Sequence, residues 1–201
     1  MDAILLIDDH PLVRDGIGKR LEETGRFAIA GEAASLAQAR SLLETMRPPP
    51  ALIILDISLG TDNGLSFIPE AGAICKARGE KPPAILVYSM YKDPFLAQSA
   101  LKSGASGYIS KSADRLELTA AIDALLGGGR YLEKSLDVPD RTTAWTELTR
   151  RELEILTMIK RGLTNRQIAD ALCVSVRTVE NHLGHIYLKT GAVSRRALLD
   201  M

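Results

Sequence analysis

Short apolar runs alternate along this chain with longer stretches in which apolar side chains return every three or four positions. Residues 3–7 are wholly apolar and stop at two adjacent acids, Asp8 and Asp9. Beyond Pro11, a residue suited to a first helical turn, Leu12, Val13, Ile17 and Leu21 recur at helical spacing. Residues 27–33 predict a weaker second strand, and Leu36, Ala39, Leu42, Leu43 and Met46 a helix that Pro48, Pro49 and Pro50 end. ALIILDI, residues 51–57, reads as a strand buried on both faces, with a Gly/Asn-rich turn and a helix near 65–78 behind it. AILVYS at 84–89, a helix over 94–103, GYIS at 107–110 and a helix over 114–126 complete five strand–helix units.

Buried strands alternating with amphipathic helices predict a doubly wound α/β fold, because parallel neighbours need crossover connections. Its working edge lies beyond the carboxyl ends of the strands. Asp8 and Asp9 follow strand one, Asp56 ends strand three, Ser89 ends strand four and Lys111 follows strand five. Three carboxylates gathered on one rim repel one another, an arrangement that makes physical sense around a hard divalent cation; magnesium, an oxygen-liganded partner of phosphate, is the natural candidate. Lys111 could then neutralise phosphoryl oxygens and Ser89 donate to them.

The pattern changes after Leu126. Gly127, Gly128 and Gly129 end the last helix, and the stretch to residue 145 mixes Asp, Pro, Thr and charged residues as a linker would, so the expected organisation is 1–126, a linker over 127–145, and 146–201. The last segment predicts four helices. Thr149 caps the first, whose stripe is Leu153, Leu156 and Ile159; Thr164 caps the second, which buries Ile168, Ala169 and Leu172. Ser175 caps the third, with Val176, Val179, Leu183 and Ile186 inward and Arg177, Thr178, Asn181, His182, His185 and Lys189 on a polar face suited to a major groove. His182 and His185 stand i, i+3 with no third ligand near them in sequence, so they read as packing or DNA-facing residues, not as a metal site.

Charge sharpens this division. The whole chain has 25 basic and 25 acidic residues, but 1–121 carries 13 against 15 and 146–201 carries 9 against 6, so only the last segment is positive. Two distant cysteines, Cys75 and Cys173, form no CxxC pair, and no apolar run is long enough to cross a bilayer, so the expected setting is the cytoplasm, with no membrane partner.

Residues 3–121 resemble the receiver domain of two-component response regulators through IDD at 7–9, LDISLGTDNG at 55–64, YSM at 88–90 and SGASGYISK at 103–111. The resemblance implies a flavodoxin-like (βα)5 fold and magnesium-assisted transfer of a phosphoryl group from a sensor histidine kinase to Asp56. It also implies a metal held by Asp9, Asp56 and the backbone carbonyl of Ser58, with Asp8 acting mostly through water, a phosphoryl grip by Ser89 and Lys111, and Tyr108 as a switch aromatic that turns inward when the Ser89 hydroxyl moves toward the phosphate. Gly60 stands where proline is usual in this family. LTRRELEIL, GLTNRQIADAL and VSVRTVENHLGHIYLKTG resemble the LuxR-type helix-turn-helix, and the union of the two defines the NarL/FixJ class of transcriptional regulators. That match implies double-stranded DNA as partner, with Arg177, Thr178, Asn181 and His182 facing the groove, Thr164 and Lys189 on phosphates, and a homodimer when phosphorylated. Its only expected chemistry is self-phosphorylation from a donor and slow autodephosphorylation. Two rival readings are a receiver used only for assembly and an aspartyl-phosphate phosphatase of the haloacid dehalogenase type. Against the latter, those enzymes carry a DxD nucleophile on strand one, whereas the strand-one acids here are adjacent.

Overall fold

The computed structural model describes residues 1–60, 62–136 and 148–200. They fall into two compact units, the first ending near residue 136 and the second containing the C-terminal helices.

In the first unit, β1 (Asp2–Ile7), β2 (Phe27–Ala33), β3 (Leu52–Leu55), β4 (Ala84–Ser89) and β5 (Gly107–Ser110) form a parallel sheet in the order β2-β1-β3-β4-β5. The apolar runs fix the register: Ile4 stands beside Leu52, Ile53 beside Ile85 and Val87 beside Tyr108. Alternate residues serve opposite faces. Ile4, Leu6, Leu52, Ile54, Leu86 and Ile109 pack with Ile17 and Leu21 of α1 (Pro11–Glu22) and with Leu118, Ile122 and Leu125 of α5 (Arg115–Leu126). Leu5, Ile53, Leu55 and Val87, of opposite parity, are equally buried. The remaining crossovers are α2 (Leu36–Thr45), α3 (Phe67–Ala77) and α4 (Pro94–Lys102). Ser35 caps α2 by accepting from the Gln38 amide, and Asp114 caps α5 by accepting from the Glu117 amide at 2.8 Å.

One expected core residue lies outside. Leu12 is 85% exposed, because the buried stripe of α1 runs through Ile17 and Leu21 with Val13 one turn before, and Leu12 sits about 100° round from Val13.

The stretch expected as a linker begins with ordered structure. Gly128, at φ +81°, turns the chain after α5, and Tyr131–Leu132 add a sixth parallel strand, β6, to β5. A 3-10 turn over Lys134–Leu136 follows, with Leu136 buried. The first unit therefore runs on to about residue 136, inside the 127–145 stretch expected to hold the boundary. The rest of the expected linker, 137–145, lies outside the described residues. The sequence signal for β6 is weak because two residues cannot show a period. The clamp is Glu133, whose carboxylate accepts from the Ser110 amide at 2.8 Å and the Ser135 hydroxyl at 2.6 Å and pairs with Lys92 at 2.7 Å. Burial alone would raise its pKa, but these partners win and hold it at about 2. A carboxyl depressed on folding stabilises above its unfolded value, and that stability is lost as pH falls from about 4.5 through 2. Glu133→Gln should cost about 1–3 kcal/mol at pH 7. Denaturant melts should show the gap to the parent closing as the solution is acidified.

The second unit contains α6 (Arg150–Lys160), α7 (Asn165–Ala171), α8 (Val176–Thr190) and α9 (Arg195–Leu199). Thr149 with Glu152 and Thr164 with Gln167 form capping boxes, Ser175 and Ser194 cap α8 and α9, and Gly191 ends α8 in the left-handed region. Ile155, Ile159, Ile168, Val179, Leu183, Ile186 and Leu198 make the core. Two expected core residues face out instead: Leu153, 50% exposed, is off the Glu152–Ile155–Ile159 stripe, and Val176, 39% exposed, sits in the first turn beyond the packed part of α8. Among the described residues no helix is long and apolar enough to cross a membrane.

Candidate functional site

Five residues meet at the carboxyl edge of the sheet because β1, β3, β4 and β5 run parallel and end together. Lys111 follows β5 and reaches back with its ammonium 2.5 Å from Asp8 Oδ2 and 2.6 Å from Asp56 Oδ2. All three side chains are at most 5% exposed. Burial raises the Asp56 carboxyl against the pull of Lys111, leaving it at about 6. Burial also works to lower Lys111, but Asp56 and Asp8 outweigh it and raise the ammonium's pKa, so the cation persists. The Ser58 amide donates to Asp56 Oδ1 at 3.2 Å, and the Ser58 hydroxyl donates to the Tyr91 phenol at 2.9 Å.

Ser89 is fully buried, and its hydroxyl accepts from the Tyr91 amide at 3.2 Å. Tyr108 is also fully buried and donates to the Tyr91 carbonyl at 2.7 Å. Burial pushes its phenol pKa well above the ordinary value. Tyr108 thus points inward.

Donor atoms of Asp8, Asp9, His10 and Asp56 lie within 4.8 Å of one another. Asp9 Oδ1 is buried and accepts no hydrogen bond among the described residues, although His10 Nδ1 is 2.8 Å away, outside hydrogen-bond geometry. An orphaned anionic oxygen among three carboxylates and one ammonium fits a hard cation, so the residues present could hold a metal.

In the second unit, Ser175 caps α8 and Arg177 is exposed on its first turn. Thr178 is tied to the cap, its Oγ1 2.8 Å from Ser175 Oγ. Asn181 Oδ1 is buried and has no hydrogen-bond partner among the described residues. His182 is half-buried, and burial together with neighbouring His185 lowers its pKa. Thr164 is exposed, its hydroxyl accepting from the Gln167 amide as the cap of α7. Lys189 departs from expectation. Its side chain is 1% exposed and its ammonium bonds Glu152, itself buried, at 2.7 Å, so it is a core ion pair and not a surface cation for phosphates. The helical period that put it on the polar face could not reveal an acid on α6 waiting beneath it.

The family model described as "Response regulator receiver domain" matches residues 4–123. The chain belongs to the response regulators. A second model, "Bacterial regulatory proteins, luxR family", matches residues 146–201 of this response regulator. It is 36% identical over 186 residues to the methanol utilization control regulatory protein MoxX of Paracoccus denitrificans, covering 89% of this chain and 80% of that protein. It is 31% identical over 211 residues to the oxygen regulatory protein NreC of Staphylococcus aureus, covering 98% and 94%. A crystal structure of a LuxR-family two-component response regulator from Aurantimonas sp. SI85-9A1 shares 31% identity and a TM-score of 0.61, over 68% of this chain and 92% of that one. RcsB of Salmonella typhimurium, at 22% identity and TM-score 0.60 over 99% and 96%, shares the fold.

In this response regulator the structure adds two residues to the acidic rim. His10, adjacent to the acid pair in sequence, brings an imidazole into the cluster. Gly60 donates its amide to Asp9 Oδ2 at 3.0 Å with φ at +59°. Proline could supply neither that amide nor that angle, so the departure from the usual loop carries a compensating contact of its own. Gly64 is required by close approach, since a Cβ there would stand 2.2 Å from the Asp56 carbonyl oxygen.

Proposed function

We propose that Asp56 accepts a phosphoryl group from the phosphohistidine of a sensor kinase, and that this controls binding of the C-terminal unit to double-stranded DNA. One observation carries the reading: Lys111 bridges Asp56 and Asp8 inside a buried cluster of acids, at the carboxyl edge of a receiver sheet. An Asp56 oxygen attacks phosphorus in line, the donor's P–N bond breaks, and an acyl phosphate forms. Magnesium, held by Asp8, Asp9, Asp56 and the Ser58 carbonyl, would neutralise charge on the transferring group. Lys111 moves its ion pair from Asp56 to the phosphoryl oxygens, and Ser89 donates its hydroxyl to them. Small phosphodonors serve the same step, and slow hydrolysis reverses it; there is no other turnover. The Ser89 shift is felt by Tyr91 and Tyr108, which share its hydrogen-bond network. Phosphorylation then shifts a two-state equilibrium toward a DNA-binding homodimer in the cytoplasm.

On α8, Arg177, Thr178, Asn181 and His182 read the groove, with Thr164 near phosphate. Arg177→Ala should weaken operator binding by about 1–3 kcal/mol at fixed salt. An unchanged gel shift on the operator would assign base reading to other residues.

A second reading, a receiver used only for assembly, is favoured by the inward Tyr108, the position expected after switching. Binding of genomic fragments with and without beryllofluoride and magnesium separates the two. Tighter binding or a changed association state with the phosphate mimic supports switching; identical curves support assembly alone.

A further inference from the structure

His182 and His185 stand one turn apart on α8, and the fold brings them the third group that local sequence lacks. Glu152, from α6, has a donor atom within 4.8 Å of theirs, each of the three from the others. The two oxygens of Glu152 have different surroundings. Oε2 accepts the Thr149 amide at 2.6 Å and the Lys189 ammonium at 2.7 Å, while Oε1 lies 3.5 Å from His185 Nδ1, beyond ordinary hydrogen-bond length. One oxygen is fixed from behind and the other is turned to the imidazoles. Ligating carboxylates are commonly held that way by an outer layer of donors.

We propose that the C-terminal unit binds a zinc-class divalent cation through Glu152 Oε1 and one ring nitrogen each from His182 and His185. Two imidazoles and one carboxylate select zinc or cobalt over magnesium, which prefers oxygen ligands throughout, and three protein ligands leave a fourth position for water. Donor atoms around a tetrahedral zinc stand about 3.3 Å apart for bonds of roughly 2.0–2.1 Å, so small rotamer changes close the present cluster. The nearby Lys189 charge weakens binding but sits on the far oxygen. Two ligands come from α8 and one from α6, so the ion ties the two helices together, and while it is bound His182 is withheld from the groove contact proposed above.

The test is a cobalt titration of the full chain carrying His10→Ala, in millimolar magnesium, so that no imidazole stands at the receiver's acidic cluster. The expected result is the visible absorption of four-coordinate cobalt, saturating at one ion per chain, bleached by zinc and accompanied by a higher Tm. His185→Asn, and separately His182→Asn, should weaken cobalt by more than the roughly 10–100-fold that loss of an outer-layer partner causes, with far-UV dichroism unchanged. Absence of bands up to millimolar cobalt, or bands that persist in both folded histidine variants, would overturn the assignment. The outcome is independent of whether Asp56 is the phosphoacceptor, since nothing in the receiver contributes a ligand.

Discussion

Asp56→Asn should abolish phosphoryl uptake and, in metal-free buffer at pH 7, should make the receiver unit more stable. The first effect is the loss of the nucleophile: an amide cannot form the acyl phosphate, so intact-mass measurement after acetyl phosphate and magnesium should show the added phosphoryl group on the parent and none on the variant. Equal labelling would move the acceptor elsewhere. The second effect follows from burial. Desolvation first, opposed by Lys111, leaves the Asp56 carboxyl at about 6 in the folded chain against 3.8 as the reference. The folded state therefore holds this proton more tightly than the unfolded one, and stability falls as pH rises from about 4 through 6. At about 1.4 kcal/mol for each tenfold change in proton affinity, that rise puts the gain on neutralising Asp56 at no more than about 3 kcal/mol. Magnesium should stabilise the parent and have much less effect on the variant, because a cation bound by the folded rim favours the ionised acid. A variant less stable than the parent at pH 7 without metal would contradict this account.

Lys189→Ala should instead be strongly destabilising, in the C-terminal unit. Its removal leaves Glu152 charged in a core position 2% exposed, and breaking such a pair typically costs 3–5 kcal/mol, on the order of the whole stability of a unit this small. The remaining Thr149 amide cannot replace an ammonium. Calorimetry should show the C-terminal transition lost or much lowered while the receiver transition stays in place, and DNA binding should disappear with it. A surface phosphate contact predicts something quite different: an intact fold and a salt dependence reduced by about one counterion. Lys189→Met with Glu152→Leu should recover much of the stability, since a buried pair exchanged for apolar residues of like volume is often neutral or better.

The sheet and its rim were legible in the sequence because a parallel strand buried on both faces leaves an uninterrupted apolar run and ends where its chemistry begins. ALIILDI and AILVYS announce β3 and β4 in that way, and Asp56 and Ser89 stand at or just past their ends. Caps were legible for a similar reason: Thr149, Thr164 and Ser175 act on amides only a few residues away. What depended on distant partners was not legible. Lys189 and Glu152 are far apart in sequence, and the period of α8 shows which face Lys189 occupies without showing what lies against it. Leu12 sits beside the stripe of its helix and Val176 a turn before the stripe of its own, differences that only packing decides. β6 is too short to carry a pattern, and its anchor, Glu133, reads in sequence as one more charge in a polar stretch.

That short strand also bears on solubility. Without it, β5 would show water a line of unsatisfied amides and carbonyls, ready to recruit a strand from another molecule. Tyr131–Leu132 occupies that border and, being only two residues long, offers a stranger little to extend, while Glu133 turns a negative charge inward at its end. The chain leaves the sheet through a built-in plug against edge-to-edge aggregation.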